Sequence, residues 1–222
     1  MQPTFLEPRF ASYHSAMLLQ RIQQQFIDSA DLKYQCAQVL APEVEAATNA
    51  VLAGVTGGGK VLTCGNGPCA AAAQQFAASF VGRYDRERPE LAAFSLASDA
   101  AVITGIAADF DGRSVFARQV RALGQAGDVL LVVSISGNSA NVLAAVEAAH
   151  ERDMTVVALS GARGGRLAQM LRDTDVSVCV PHETGARILE VHQLVLHCIC
   201  DGVDAQLLGL PDSFTLEQEN PA

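Results

Sequence analysis

With 222 residues, half of them apolar and only 5% aromatic, the chain has material for one α/β domain built around an aliphatic core. Its net charge of −9, with Lys33 and Lys60 as the only lysines, leaves no basic cluster to follow a phosphate backbone and argues against direct nucleic-acid binding. No charged-then-apolar leader opens the chain and no apolar run is long enough for a bilayer, which predicts a cytoplasmic protein without membrane insertion.

The first dozen residues, with Pro3 and Pro8, read as irregular. Over 12–40, Met17, Leu18, Ile22, Phe26 and Ile27 recur at helical spacing among Gln and charged residues, which predicts an amphipathic helix. Pro42 suits the start of a second helix running to about residue 52. Both stand outside the alternation that follows, so they are expected to pack on the core or on another subunit.

After Gly57-Gly58-Gly59 the alternation is regular. Strands are predicted over 60–64, 91–96, 128–134, 155–159 and 176–180. Helices are predicted over 70–81, 100–108, 114–123, 138–150, 165–171 and 186–207. Runs such as Val129-Leu130-Leu131-Val132-Val133 are apolar at every position, as strands of a parallel sheet covered on both faces must be. The expected fold is α/β, a three-layer, doubly wound, flavodoxin-like parallel sheet of five strands with an N-terminal helical extension. The extension is expected over 1–52, the domain over 53–208 and a flexible acidic tail over 209–222.

Two strand-to-helix junctions carry the functional signal: Cys64-Gly65-Asn66-Gly67 and Ser134-Ile135-Ser136-Gly137-Asn138-Ser139. Glycines let the backbone turn tightly there, and each following helix offers unpaired N–H groups and a positive dipole end. Either junction alone is an ordinary βα turn. The pair, with Ser134, Ser136 and Ser139, points to a phosphate or another anion near Asn66 and Gly67.

Four stretches, the run from Gly59 to Gly67, Gly127-Asp128-Val129-Leu130-Leu131, the loop from Ser136 to Val142, and Ala186-Arg187-Ile188-Leu189-Glu190-Val191-His192, resemble the sugar isomerase (SIS) domain of the phosphoheptose isomerase group. The similarity runs from about residue 46 to 208. It implies a phosphosugar-binding α/β fold and a homotetramer built partly on the N-terminal helices. It also places the phosphosugar on Asn66, Gly67, Cys69, Ser134, Ser136, Asn138 and Ser139, although Ile135 replaces the group's Thr and Pro68-Cys69 its Gly-Ser. One hydroxyl is thereby exchanged for an alkyl group and another for a thiol, a weaker donor.

Within the group, the phosphoheptose isomerases interconvert sedoheptulose 7-phosphate and its aldose, while the DiaA branch binds the replication initiator DnaA. The segments 72–80, 119–131, 152–159 and 197–204 resemble the DiaA branch. Aldose–ketose isomerisation needs a base, an acid and a stabiliser for the enediolate. Where the resemblance implies a His, a Glu and a Gln of a zinc-bearing site, this chain has Gln75, Ser79 and Leu189; His197 alone matches. The expectation is therefore a DiaA-like, DnaA-binding regulator without catalytic residues or zinc. An active phosphoheptose isomerase and a phosphosugar sensor are the alternatives.

Other candidates read as structural. His192 and His197 are five apart, about 140° around a helix, and cannot clasp one metal. Asp109 and Asp111 suit loop capping, and Arg187 and Glu190 suit a surface pair. None of the six cysteines has zinc or redox spacing, Cys198-x-Cys200 included. Leu207 and Leu208, at a wet helix end before Gly209, are the expected partner contact.

Overall fold

Residues 8–209 are described by the computed structural model, with α1 side chains from residue 17 on. The chain divides after Val39. Up to that point it is a single helix, α1 (Pro8–Val39). The helix begins earlier than the irregular stretch read from Pro3 and Pro8, because a Pro in the first turn has no N–H to leave unpaired. Met17, Leu18, Ile22, Phe26 and Ile27 of α1 are all exposed.

From Leu40 on, the strands are β1 (Val61–Gly65), β2 (Ala93–Ser95), β3 (Val129–Ser134), β4 (Thr155–Gly161) and β5 (Val176–Val180). They form one parallel sheet in the order β2-β1-β3-β4-β5, the doubly wound topology read from the alternation. The helices are α2 (Ala41–Thr56), α3 (Pro68–Val81), α4 (Ala100–Asp109), α5 (Val115–Leu123), α6 (Ala140–Glu151), α7 (Gly165–Met170) and α8 (Gly185–Leu208). Strand β2 is shorter than the predicted 91–96, since it lies at the sheet edge and pairs only with β1.

Every residue of β1 and β3 is buried, because helices cover both faces. One core joins Phe116 and Val120 of α5 and Val142, Leu143 and Val146 of α6 to Leu62, Leu130, Val132 and Val156 of the sheet. Helices α2 and α3 each pack against α8, which buries Ile188, Val191, Val195, Ile199 and Val203. Gly209 caps α8 in the left-handed conformation. The tail expected beyond it lies, from residue 210 on, outside the described residues. Among the described residues no helix is long and apolar enough to cross a membrane.

The chain leaves β1 toward one side of the sheet and β3 toward the other. Their following loops diverge and open a crevice beyond the carboxyl ends of these two neighbouring strands, where α/β sheets bind ligands.

Candidate functional site

Asn66, Cys69, Ser134, Ser136 and Ser139 line one cleft of about 180 Å³ at that switch point, together with Pro68, Val133 and Ile135. The lining contains no charged side chain. Hydroxyls and the N-termini of α3 and α6, whose N-caps are Gly67 and Ser139, face the cleft, a setting that suits an anion on general grounds. Ser139 makes no side-chain cap bond, so its hydroxyl is left for the cleft.

The loop shapes are set locally. Gly67 has φ 53°, a left-handed conformation that a side chain resists. Gly137 has φ 62°, and a Cβ there would run into the Gly164 carbonyl. The Asn66 and Asn141 side-chain amides exchange two hydrogen bonds of 2.8 Å and tie the first loop to α6. Asn138 builds the loop and is not among the cleft's lining residues. Its Nδ2 donates to the Ser136 carbonyl (2.8 Å) and its Oδ1 accepts from the Arg166 N–H (3.0 Å). Asn141 is the residue that the motif reading missed.

Burial pushes the Cys69 thiol above its ordinary pKa, and the Ile135 N–H facing its sulfur pulls the other way. Cys64, fully enclosed in β1, is pushed up to about 12. Both therefore stay thiols near neutrality. The Ile135 carbonyl accepts from the Gly161 N–H (3.0 Å), and its side chain lies on the side of Gly185, at the start of α8, that a Cβ would occupy. An alkyl group thus forms the cleft wall where the resemblance implies a threonine.

A second polar cluster lies between α3 and α8. Gln193 Nε2 donates to Gln75 Oε1 (3.0 Å) and stands 2.9 Å from His197 Nε2, and Gln75 Nε2 is 3.4 Å from the same ring nitrogen. The Tyr84 ring packs against His197 with centroids 5.6 Å apart. Ser79 follows Gln75 by one turn of α3, and Leu189 precedes Gln193 by one turn of α8; both are half-buried. Gln193 carried no signal in the sequence, because only the packing of α3 on α8 brings it to Gln75. Zinc is held by Cys, His and carboxylate ligands. One imidazole with two carboxamides, a hydroxyl and a leucine does not fit that donor set, and among the described residues no three His, Cys, Asp or Glu gather for a metal.

His192 belongs to the interior. Its Nε2–H donates to the Ser160 carbonyl (2.9 Å), and burial lowers its pKa. Asp111 caps the turn before α5 by accepting from the Ser114 N–H (2.8 Å) and hydroxyl (2.7 Å), and Arg187 pairs with Glu190 at 2.8 Å. Leu207 and Leu208 are 39% and 38% exposed. They sit at the far end of α8, about 33 Å along its axis from the cleft end.

The SIS domain family model matches residues 14–161. A phosphoheptose isomerase of Methylibium petroleiphilum is 59% identical over 196 residues, 88% of this chain and 98% of the relative. The chain belongs to the SIS domain family, in its phosphoheptose isomerase group. A phosphoheptose isomerase of Azoarcus sp. is 52% identical over 88% of this chain and 99% of its own. Among solved structures, phosphoheptose isomerase GmhA of Neisseria gonorrhoeae superposes with a TM-score of 0.81 at 47% identity, covering 85% of this chain and 99% of that one.

These relatives overturn the expectation of a DiaA-like, DnaA-binding regulator. Proteins 47–59% identical over almost their whole length carry the isomerase name. The segments that suggested the other branch lie largely in the framework of the SIS domain. Ala72, Ala73, Phe76, Ala77 and Phe80 are buried in α3, Val129–Leu131 in β3, and Val156–Leu159 in β4. Their likeness there reports shared packing of the SIS domain. Leu207 and Leu208 remain as exposed leucines beside the α8 cap.

Proposed function

We propose that the chain binds a phosphosugar with its phosphate in the β1/β3 cleft and interconverts the aldose and ketose forms, sedoheptulose 7-phosphate being the ketose. One observation carries this reading. Helix α3 starts at the cleft and, six residues beyond Cys69, presents Gln75 beside His197. That is about 9 Å along the axis, a distance suited to a seven-carbon chain whose phosphate rests on the loops. The names of the relatives support the substrate class.

In this reading His197 Nε2 takes the proton from the carbon beside the carbonyl, the hydroxyl proton passes from one enediolate oxygen to the other, and His197 returns its proton to the former carbonyl carbon, imidazole being the side chain that trades protons near neutral pH. The Gln75 Nε2–H, 3.4 Å from the same ring nitrogen, is placed to donate to an enediolate oxygen. Ser79, where the resemblance implies a glutamate, adds no base, so turnover is expected to be slow. In a coupled assay with sedoheptulose 7-phosphate, His197→Asn is expected to lower kcat about 100-fold or more, and Ser79→Glu to raise it. Calorimetric binding of the sugar phosphate with no turnover by the wild type or by Ser79→Glu overturns the isomerase reading and leaves a phosphosugar-binding protein.

We also propose a homotetramer assembled on α1. The exposed Leu18, Ile22 and Phe26 support it, since an apolar row of this kind is normally covered. Light scattering is expected to report four chains; a monomer at micromolar concentration overturns it.

A further inference from the structure

Leu189, Gln193 and His197 follow one another at four-residue steps and share one face of α8. The carboxamide that the resemblance implies at residue 189 is therefore absent there, but another stands one turn further on, beside the imidazole. Gln193 Nε2 approaches His197 Nε2 at 2.9 Å, Gln75 Nε2 approaches it at 3.4 Å, and the two amides are linked by the 3.0 Å bond from Gln193 Nε2 to Gln75 Oε1. With the two amides oriented so, both N–H donors face one ring nitrogen, and that nitrogen accepts through its lone pair only in the tautomer that carries its hydrogen elsewhere.

We infer that Gln193 is a positioning residue of the site, holding the His197 imidazole as the Nδ1–H tautomer with the Nε2 lone pair turned toward Gln75 and the approaching substrate. The role rests on the isomerase reading in that His197 carries the proton. Gln193 acts through His197, and its second bond keeps Gln75 beside the same nitrogen. Without it the imidazole is free to turn about its side-chain bonds and to take the Nε2–H form that a free imidazole prefers. The nitrogen facing the substrate would then carry a hydrogen and could not take another.

The test is long-range ¹H–¹⁵N NMR of the histidine rings in the full chain at one mildly alkaline pH, with the His197 signals assigned through His197→Asn. The wild type is expected to show a protonated Nδ1 and a bare Nε2. Gln193→Leu, which removes the donor, is expected to move the ring toward the Nε2–H form. Gln193→Glu, which offers only acceptors, is expected to place a proton on Nε2. In the isomerase assay Gln193→Leu is expected to lower kcat by about 10-fold or more with KM little changed, the mark of a group acting on the chemical step. A wild-type ring already protonated on Nε2, or one whose tautomer is unmoved in both variants, overturns the assignment. Absence of turnover in the wild type removes the isomerase reading, while the ring spectra still decide the role of Gln193.

Discussion

Ser139→Asp is expected to abolish sugar-phosphate binding while leaving the fold as stable as before or slightly more so. The residue lines the cleft and caps α6, so a carboxylate there stands beside the bound phosphate. Two negative charges about 4 Å apart in a partly exposed site repel by about 4 kcal/mol, roughly a thousandfold in Kd. The cleft contains no cationic side chain to offset this. The same carboxylate is a good N-cap in the extended conformation that Ser139 has (φ −66°, ψ 117°), and it faces the positive end of the helix dipole. A gain of about 0.5 kcal/mol in stability follows, a rise of about 1–2 °C in Tm. Calorimetry and thermal melting thus move in opposite senses. Retained affinity for sedoheptulose 7-phosphate in this variant would place the phosphate elsewhere.

Arg88→Met is expected to destabilise the protein more than any change in the cleft. The Arg88 side chain is 0% exposed, with Nε donating to Asp204 Oδ1 at 2.6 Å. It also donates to the carbonyls of Ser79 (2.8 Å), Phe80 (2.9 Å) and Pro89 (3.1 Å), and so gathers the end of α3, the connection to β2 and helix α8 around one cation. Removing it leaves a buried carboxylate without its partner, and Asp204 Oδ2 already has none. Loss of one partner of such a pair costs about 3–5 kcal/mol, which is roughly 10 °C in Tm for a chain of this size. Arg88→Met combined with Asp204→Leu is expected to recover part of that loss. The recovery stays incomplete, because the carbonyls still lack their donor. A melting temperature unchanged by Arg88→Met would show that the pair adds nothing to stability.

The arrangement of strands and helices was legible in the sequence because burial on both faces writes itself into unbroken apolar runs such as Val129–Val133, and because glycines and serines mark the turns. The two loops that line the cleft were legible for the same local reason: Gly67, Gly137 and Ser139 shape the chain within a few residues of themselves. The start of α1 was missed, as a proline at the first turn and a proline in an irregular segment look alike in one dimension. The sequence by itself thus determined the doubly wound sheet, the switch-point junctions and, through the resemblance, the absence of a His, a Glu and a Gln at positions 75, 79 and 189. Only the tertiary structure decided which side chains meet there. Gln75 and Gln193 are 118 residues apart, and Arg88 and Asp204 are 116 apart. Pairs so distant are created by the packing of α3 and its following connection against α8, and no local pattern of residues encodes the distance between them.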